Sequence, residues 1–285
     1  MDREKTGIVL EGGGHRGIYS AGVLDVLREN GILTDGIIGV SAGAVHGASY
    51  VSGQTGRSVR YTEKYCRDKR YMSVHSLFTT GDLFNAEFCY HEIPEKLDPY
   101  DNDAFESSPA AFYVTCTDVL TGRPVYHRCR TLRGKEMLWM QGSASMPLAS
   151  RVVAVDGYKL LDGGVADSIP LKAFENMGYI KDIVILTQPA GYEKKKNPLL
   201  PLIRIGMKKY PALVHAMAIR HIRYNEELAD AERQAADGRI LLIRPSKHLN
   251  VSRTEKDPEK IRGLYNLGRQ DALSQLERVK HFLSW

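Results

Sequence analysis

Residues 7–24 read GIVLEGGGHRGIYSAGVL. An apolar run, Gly7–Leu10, leads into the glycine loop EGGGHRG (Glu11–Gly17), and a helical pattern follows. The spacing predicts a strand over Thr6–Leu10 and a helix over Arg16–Glu29. Ile18, Ala21, Val23, Leu24 and Leu27 fall on its core-facing side, and Asn30-Gly31 ends it. A second unit repeats the alternation, with a short buried strand at Gly36–Val40 and a helix of small residues at Ala42–Val51. Strand alternating with helix at this spacing implies an α/β fold with a mostly parallel sheet.

The remaining chain extends that pattern with breaks. Residues 54–110 are polar and interrupted by Gly, Pro and Asp, which predicts short helices and loops. Phe112–Thr117 and Arg123–His127 flank Leu120-Thr121-Gly122 as a hairpin. Met137–Ser145 reads as a helix ending at Met146-Pro147. Val152–Val155 and Tyr158–Leu161 flank the turn pair Asp156-Gly157. Further strands are expected at Ile183–Thr187 and Ile240–Ile243, with helix over Pro258–Leu283. The softest boundary is GYEKKKNPLLP, Gly191–Pro201. The basic and apolar stretch after it reads either as a helix pair covering the sheet or as a segment resting on anionic lipid.

Composition sets outer limits. The chain has 285 residues, 43% apolar and 26% charged, with a formal net charge of +5, as in an ordinary soluble globular protein. That mild positive excess favours approach to anionic surfaces. No nucleic-acid recognition motif accompanies it, so a nucleic-acid partner is not expected. The start of the chain lacks the apolar core of a signal peptide, and no apolar stretch reaches the roughly 18 residues of a membrane span. The cysteines Cys66, Cys89, Cys116 and Cys129 are scattered without a C-x-x-C pair, which argues against a zinc site and a disulfide framework. A cytoplasmic protein is the expectation.

Gly12, Gly14 and Gly17 match G-x-G-x-x-G, the phosphate-cradling turn of dinucleotide-binding folds. That reading requires an acidic residue at the end of the second strand. Here the strand ends in Ser41, and Asp35 stands at its beginning. No Gly-Lys-Ser/Thr follows, so a P-loop fails as well. Ser41 lies in Gly39-Val40-Ser41-Ala42-Gly43, a G-x-S-x-G between strand and helix, which is the pattern of a nucleophile elbow. Acyl transfer at a serine creates an oxyanion, and a triglycine loop running into a helix supplies backbone donors for one. Gly12, Gly13, Gly14 and the N-terminal residue of the next helix, Ala42, are therefore candidate oxyanion-hole residues, with a bound phosphate as the second choice. Arg16 either reinforces that positive field or caps a surface helix.

A serine nucleophile needs a base. Of the nine histidines, His15, His46, His215 and His221 are candidates for a Ser-His-Asp triad, and none has a telling local context. Asp162 in Leu160-Leu161-Asp162-Gly163-Gly164 is the better candidate, a carboxylate directly after an apolar strand with room around it. Partial desolvation would raise its pKa toward that of a useful base.

Taken together these pieces resemble the patatin-like phospholipase family. Its sequence pattern is met here by Gly12-Gly13-Gly14-His15-Arg16-Gly17, Gly39-Val40-Ser41-Ala42-Gly43 and Asp162-Gly163-Gly164. Ser143-Ala144-Ser145-Met146-Pro147 and Ala166-Asp167-Ser168-Ile169-Pro170 are similar too. The resemblance covers roughly residues 6–175; residues 176–285 are expected to complete the sheet and add a basic helical extension. It implies a three-layer α/β/α fold, a Ser41–Asp162 dyad hydrolysing acyl esters of lipids, an oxyanion hole around Gly13 and Gly14, and no metal or organic cofactor. Gly17, Gly39, Gly43, Gly163 and Gly164 are its supporting motif positions. Glu11 stands where many members have aspartate. Ser168 stands where asparagine is common, a change expected to loosen the loop carrying Asp162. The expected partner is a lipid or acyl-ester substrate, with peripheral contact to an anionic membrane as a further expectation and the oligomeric state left open. Two other readings stay open at this stage: a soluble esterase or thioesterase on small acyl substrates, and a phosphate-binding protein without hydrolysis.

Overall fold

A computed structural model describes residues 4–248 and 250–283. The first unit is β1 (Lys5–Leu10), a 3-10 turn over Gly14–Gly17 and α1 (Ile18–Glu29); the second is β2 (Gly36–Val40) and α2 (Ala42–Val51). The helix expected from Arg16 begins as that tighter turn, because the glycine loop must swing back before the α-helical ladder starts. Gly31, at φ 71°, ends the first unit, and the Asn30 side chain closes the last turn on the Val26 carbonyl at 2.8 Å.

Residues 54–110 carry α3 (Arg57–Tyr65), α4 (Val74–Thr80), a π-helical stretch (Phe88–Leu97) and α5 (Asn102–Ser107). The hairpin β3 (Ala111–Asp118) and β4 (Pro124–Cys129) precedes α6 (Lys135–Ser143), which ends two residues before its expected end. A second hairpin, β5 (Val153–Val155) and β6 (Tyr158–Asp162), turns through Asp156 and Gly157, both at positive φ, as an Asp-Gly pair prescribes. Then come α7 (Leu171–Asn176), β7 (Tyr179–Ile185), α8 (Leu200–Gly206), α9 (Pro211–Ala236), β8 (Leu241–Ile243), α10 (Pro258–Ser274) and α11 (Leu276–Leu283).

The strands form one sheet in the order β5-β6-β3-β2-β1-β7-β8, with β4 also paired to β3. β3, β2, β1, β7 and β8 run parallel, and the two hairpins add antiparallel edges. Alternate residues of each central strand enter different cores, as the two-residue strand period requires. Ile8, Leu10, Ile37, Ile183 and Ile185 pack with α1, α2 and α10. Val9, Ile38 and Val184 pack on the other face with α7 and α9, through Phe174, Tyr224 and Leu228. The result is the three-layer α/β/α arrangement.

Register along β3 brings two distant stretches together. β2 pairs with β3 as far as Val40 opposite Thr115. β4 occupies the other edge of β3 through Thr117. β6 therefore joins β3 on the edge that β2 has just left, with Asp162 opposite Cys116. β6 runs antiparallel to β3, so its last residue arrives where β2 ends.

The closest helix contact is between α1 and α10. A Cβ at Gly22 would lie 2.2 Å from the Tyr265 carbonyl oxygen, and one at Gly268 would lie 2.1 Å from that of Tyr19. Neither atom can retreat without moving a backbone. Gly268→Ala is expected to lower stability in urea unfolding by about 1–3 kcal/mol, the usual cost of overpacking.

Candidate active site

Ser41 stands at the turn from β2 to α2 with φ 55° and ψ −123°, a conformation that L-residues rarely adopt. The turn is held because its neighbours leave no slack. A Cβ at Gly39 would lie 2.6 Å from the Ala44 backbone, and one at Gly43 would lie 2.7 Å from the Leu10 carbonyl oxygen. The Ser41 N–H donates to the Ser143 hydroxyl at 2.9 Å, which in turn donates to the Thr115 carbonyl at 2.7 Å. The SASMP stretch thus clamps the elbow from α6, a contact only the tertiary structure makes visible.

Asp162 is 3% exposed. Its N–H donates to the Ser145 carbonyl at 2.7 Å, and its Oδ1 accepts from the Gly164 N–H at 2.8 Å. Burial pushes its pKa up, while the Arg220 charge, the adjacent Ser41 hydroxyl, the Gly164 N–H and the Arg253 charge pull it down. The nearness of the Ser41 hydroxyl follows from the meeting of β2 and β6 at one point of β3. Gly163 passes so close to the Thr115 carbonyl, 2.1 Å for a Cβ, that only glycine fits.

The glycine loop borders the same crevice: Gly12, Gly13, Gly14, Arg16, Ser41, Asp162 and Gly164 all line it. Within the loop the His15 N–H donates to the Arg253 carbonyl at 3.0 Å and the Arg16 N–H to the Gly13 carbonyl at 3.3 Å. Among the described residues, the N–H groups of Gly12, Gly13, Gly14, Ala42 and Gly43 have no acceptor. Unspent donors beside a serine can hold negative charge. A Cβ at Gly17 would lie 2.7 Å from that of Ala42, which sets the loop directly against the start of α2. With the Gln188 amide oriented so that its oxygen accepts from it, the Arg16 guanidinium is anchored at 3.1 Å and stays in the crevice wall rather than capping a surface helix.

Glu11 and Ser168 hold the frame. Glu11 accepts from the Thr187 N–H at 2.6 Å and hydroxyl at 2.9 Å, and from the Tyr224 hydroxyl at 2.8 Å, joining β1, β7 and α9. Ser168 does not loosen its loop. Its hydroxyl donates to the Gly164 carbonyl at 2.9 Å, and the N–H groups of Ser168 and Ile169 donate to Glu227 at 3.0 and 3.1 Å.

A second, narrower cavity of about 110 Å³ opens from the other side of Ser41. Ile18, Val45, Tyr90, Ile93, Met137 and Met140 are among its lining residues. His15 and His46 lie in its wall. His15 bonds the Glu255 carbonyl at 2.6 Å through Nδ1, and the His46 Nδ1 has no partner. Burial lowers both pKa values, that of His46 to about 3, so His46 is a neutral wall residue. Of the other two histidines, His221 lines the wide crevice. The donor atoms of His127, Cys129 and Glu136 lie within 4.8 Å of one another, but His127 and Glu136 already bond each other at 2.7 Å and none of the three lines either cavity.

The model of the patatin-like phospholipase family matches residues 8–175. The chain belongs to that family. Residues 210–284 match a further family model, a domain of unknown function, DUF6363. The chain is 31% identical over 185 residues to the lysophospholipase nte1 of Aspergillus terreus, a match taking in 60% of this chain and 11% of that protein. It thus spans about a tenth of the length of that fungal relative. It is 25% identical over 272 residues to the protein YjjU of Escherichia coli K12, covering 92% of this chain and 74% of the other. To the NTE family protein Rv1063c of Mycobacterium tuberculosis it is 26% identical over 189 residues, covering 66% and 50%. VipD from Legionella pneumophila superposes over 97% of this chain and 67% of its own, at 12% identity and a TM-score of 0.47.

The buried histidines give the fold an acid limit. Both are depressed in the folded state, so the unfolded chain takes up more protons below about pH 6.5, and stability falls as pH drops through that value. His46 alone is expected to cost up to about 1.4 kcal/mol per pH unit there. Urea midpoints from pH 7.5 to 5 should fall accordingly, while the His46 imidazole NMR signals should still report a neutral ring at pH 5.

Proposed function

We propose that this chain is a serine acyl hydrolase that cleaves ester bonds of phospholipids or related lipids through Ser41 and Asp162. The observation carrying this reading is the convergence at one crevice of a serine at positive φ, a buried carboxylate beside it and unspent backbone donors. Family membership and the likeness to fungal lysophospholipases support it.

In the reaction, the Ser41 Oγ attacks the ester carbonyl and its proton passes to the Asp162 carboxylate. The carbonyl oxygen becomes an oxyanion facing the N–H groups of Gly13, Gly14 and Ala42 at the start of α2. Collapse breaks the bond to the alcohol, which takes the proton back from Asp162 and leaves. Water then repeats the sequence on the acyl-enzyme: Asp162 accepts its proton, the hydroxide adds to the acyl carbon, and Ser41 departs reprotonated with release of the fatty acid. Burial raises the affinity of Asp162 for a proton, and the charges of Arg220 and Arg253 oppose that rise. The narrow apolar cavity suits the acyl chain, and the wider crevice suits the alcohol portion.

Contact with a lipid surface is the favoured setting over soluble esters. On α8, Leu202 is 57% and Ile205 71% exposed, between the exposed cations Arg204, Lys208 and Lys209. α8 seats its Gly206 against Leu148, and α4, which carries the exposed Phe78, is tied to the same loop through Leu83 and the Ala149 carbonyl at 2.8 Å. Leu148 and Ala149 line the crevice, so apolar and cationic groups flank its mouth.

A fluorophosphonate probe should label the wild type, fail on Ser41→Ala and label Asp162→Asn at least about 100-fold more slowly, the usual range for loss of a general base. Labelling that persists in Ser41→Ala would overturn the assignment. The labelling rate should fall on acidification with a midpoint above the roughly 3.9 of a free aspartate. Replacing Leu202 and Ile205 together by serine should weaken cosedimentation with vesicles containing phosphatidylglycerol at least about tenfold, given about 1.5–3 kcal/mol for each buried side chain.

A further inference from the structure

The wide crevice has a cationic side that the hydrolytic steps use only in part. Six basic residues line it, Arg16, Lys194, Lys195, Lys196, Arg220 and Arg253, against three acidic ones, Glu11, Asp162 and Glu193. Two of those acids are engaged: Glu11 by Thr187 and Tyr224, and Asp162 by Gly164 and its place beside Ser41.

Lys194 is only 9% exposed, yet among the described residues no carboxylate lies within ion-pair distance of its amine. The Nζ instead sits 3.8 Å above the Tyr224 ring. Its backbone is pinned from both sides by Asn225, which accepts from the Lys194 N–H at 2.9 Å and donates to its carbonyl at 3.1 Å. The Arg220 guanidinium reaches in from α9 and is fixed by its Nε to the Gly164 carbonyl. Arg253 enters from the loop before α10, whose carbonyl holds the glycine loop at His15. Burial first, and then the charges of Arg220, Arg253 and Arg16, bring the Lys194 pKa down to about 7 against the opposing charge of Glu11. A buried ammonium without a counterion among three guanidinium groups is costly for the empty protein. Such a cluster, open to a crevice, is matched to an anion that arrives with the substrate.

We propose that Lys194, Arg220 and Arg253 form a subsite for a phosphate group carried on the alcohol portion of the ester, a few bonds from the scissile carbonyl. The proposal rests on the hydrolase reading of Ser41 and names the residues that hold the phosphate. Three cations converging from separate elements suit a group with more than one negative charge and several acceptor oxygens, and guanidinium groups match phosphate oxygens pairwise. All three residues lie beyond the patatin-like match, and Arg220 and Arg253 fall in the segment matching the domain of unknown function. That segment thus acquires a role, reading the head group at an active site whose nucleophile lies elsewhere in the chain.

The test compares kcat/KM on 1-acylglycerol 3-phosphate with that on the 1-acylglycerol of equal chain length, both in one neutral detergent. The wild type should favour the phosphate ester at least about tenfold. Lys194→Met should reduce that ratio about tenfold, through KM rather than kcat; Arg253→Ala should lower the ratio too, and Arg253→Lys should restore most of it. Glycerol 3-phosphate should slow fluorophosphonate labelling of the wild type but not of Lys194→Met. Hydrolysis of both esters with a ratio near one, or a ratio the variants leave unchanged, would overturn the subsite while leaving the Ser41 reading intact. Protection by inorganic phosphate without preference for the phosphate ester would mean a site for free phosphate, and would overturn the substrate assignment. Absence of both hydrolysis and labelling would overturn the hydrolase reading and this assignment with it.

Discussion

Pairing along one edge of β3 is the constraint on which the rest depends. β4 fills one edge through Thr117, so β6 has only the other, and its last residue arrives there where β2 ends. A strand-end serine and a strand-end aspartate, 121 positions apart (162 − 41), are thereby set against each other by backbone hydrogen bonds. The local devices serve that meeting. Ser143 bridges Ser41 to Thr115, and Gly163 gives way to the Thr115 carbonyl. A side chain at Gly163 would push Asp162 off the register.

Electrostatics at that meeting point are a balance of opposed causes. Burial raises the pKa of Asp162, and the neighbouring guanidinium groups of Arg220 and Arg253 pull it down. The same cations have few acids to neutralise them, and Lys194 among them sits on an aromatic face instead of a carboxylate. One cationic field can therefore favour the charged form of a base and attract an anionic substrate. The narrow cavity beside Ser41 is walled by side chains such as Ile93 and Met140.

The basic stretch after Pro201 forms two helices with different surroundings. α9 covers the sheet, with Tyr224 and Leu228 in the core, whereas α8 leaves Leu202 and Ile205 exposed between cations. Composition could not separate them, because a short amphipathic segment looks alike whether its apolar residues meet a sheet or a lipid surface. Ser168 departs from its expected effect for a related reason. Its value lies in a hydroxyl bonded to the Gly164 carbonyl and a backbone bonded to Glu227, 59 residues away, and no local pattern encodes that distance.

By itself the sequence determined the strand–helix alternation, both hairpins, the elbow at Ser41, the glycine loop and the aspartate at the end of β6. Each depends on short-range physics: side-chain period, the backbone freedom of glycine, and turn chemistry at Asp156-Gly157. Tertiary structure alone decided what surrounds them. The clamp from Ser143, the Glu11 contacts to Thr187 and Tyr224, the burial of His46 and the gathering of Lys194, Arg220 and Arg253 all join residues from separate elements. Their interactions act over a few ångströms in space, and a linear pattern holds no record of which distant residues will come within that range.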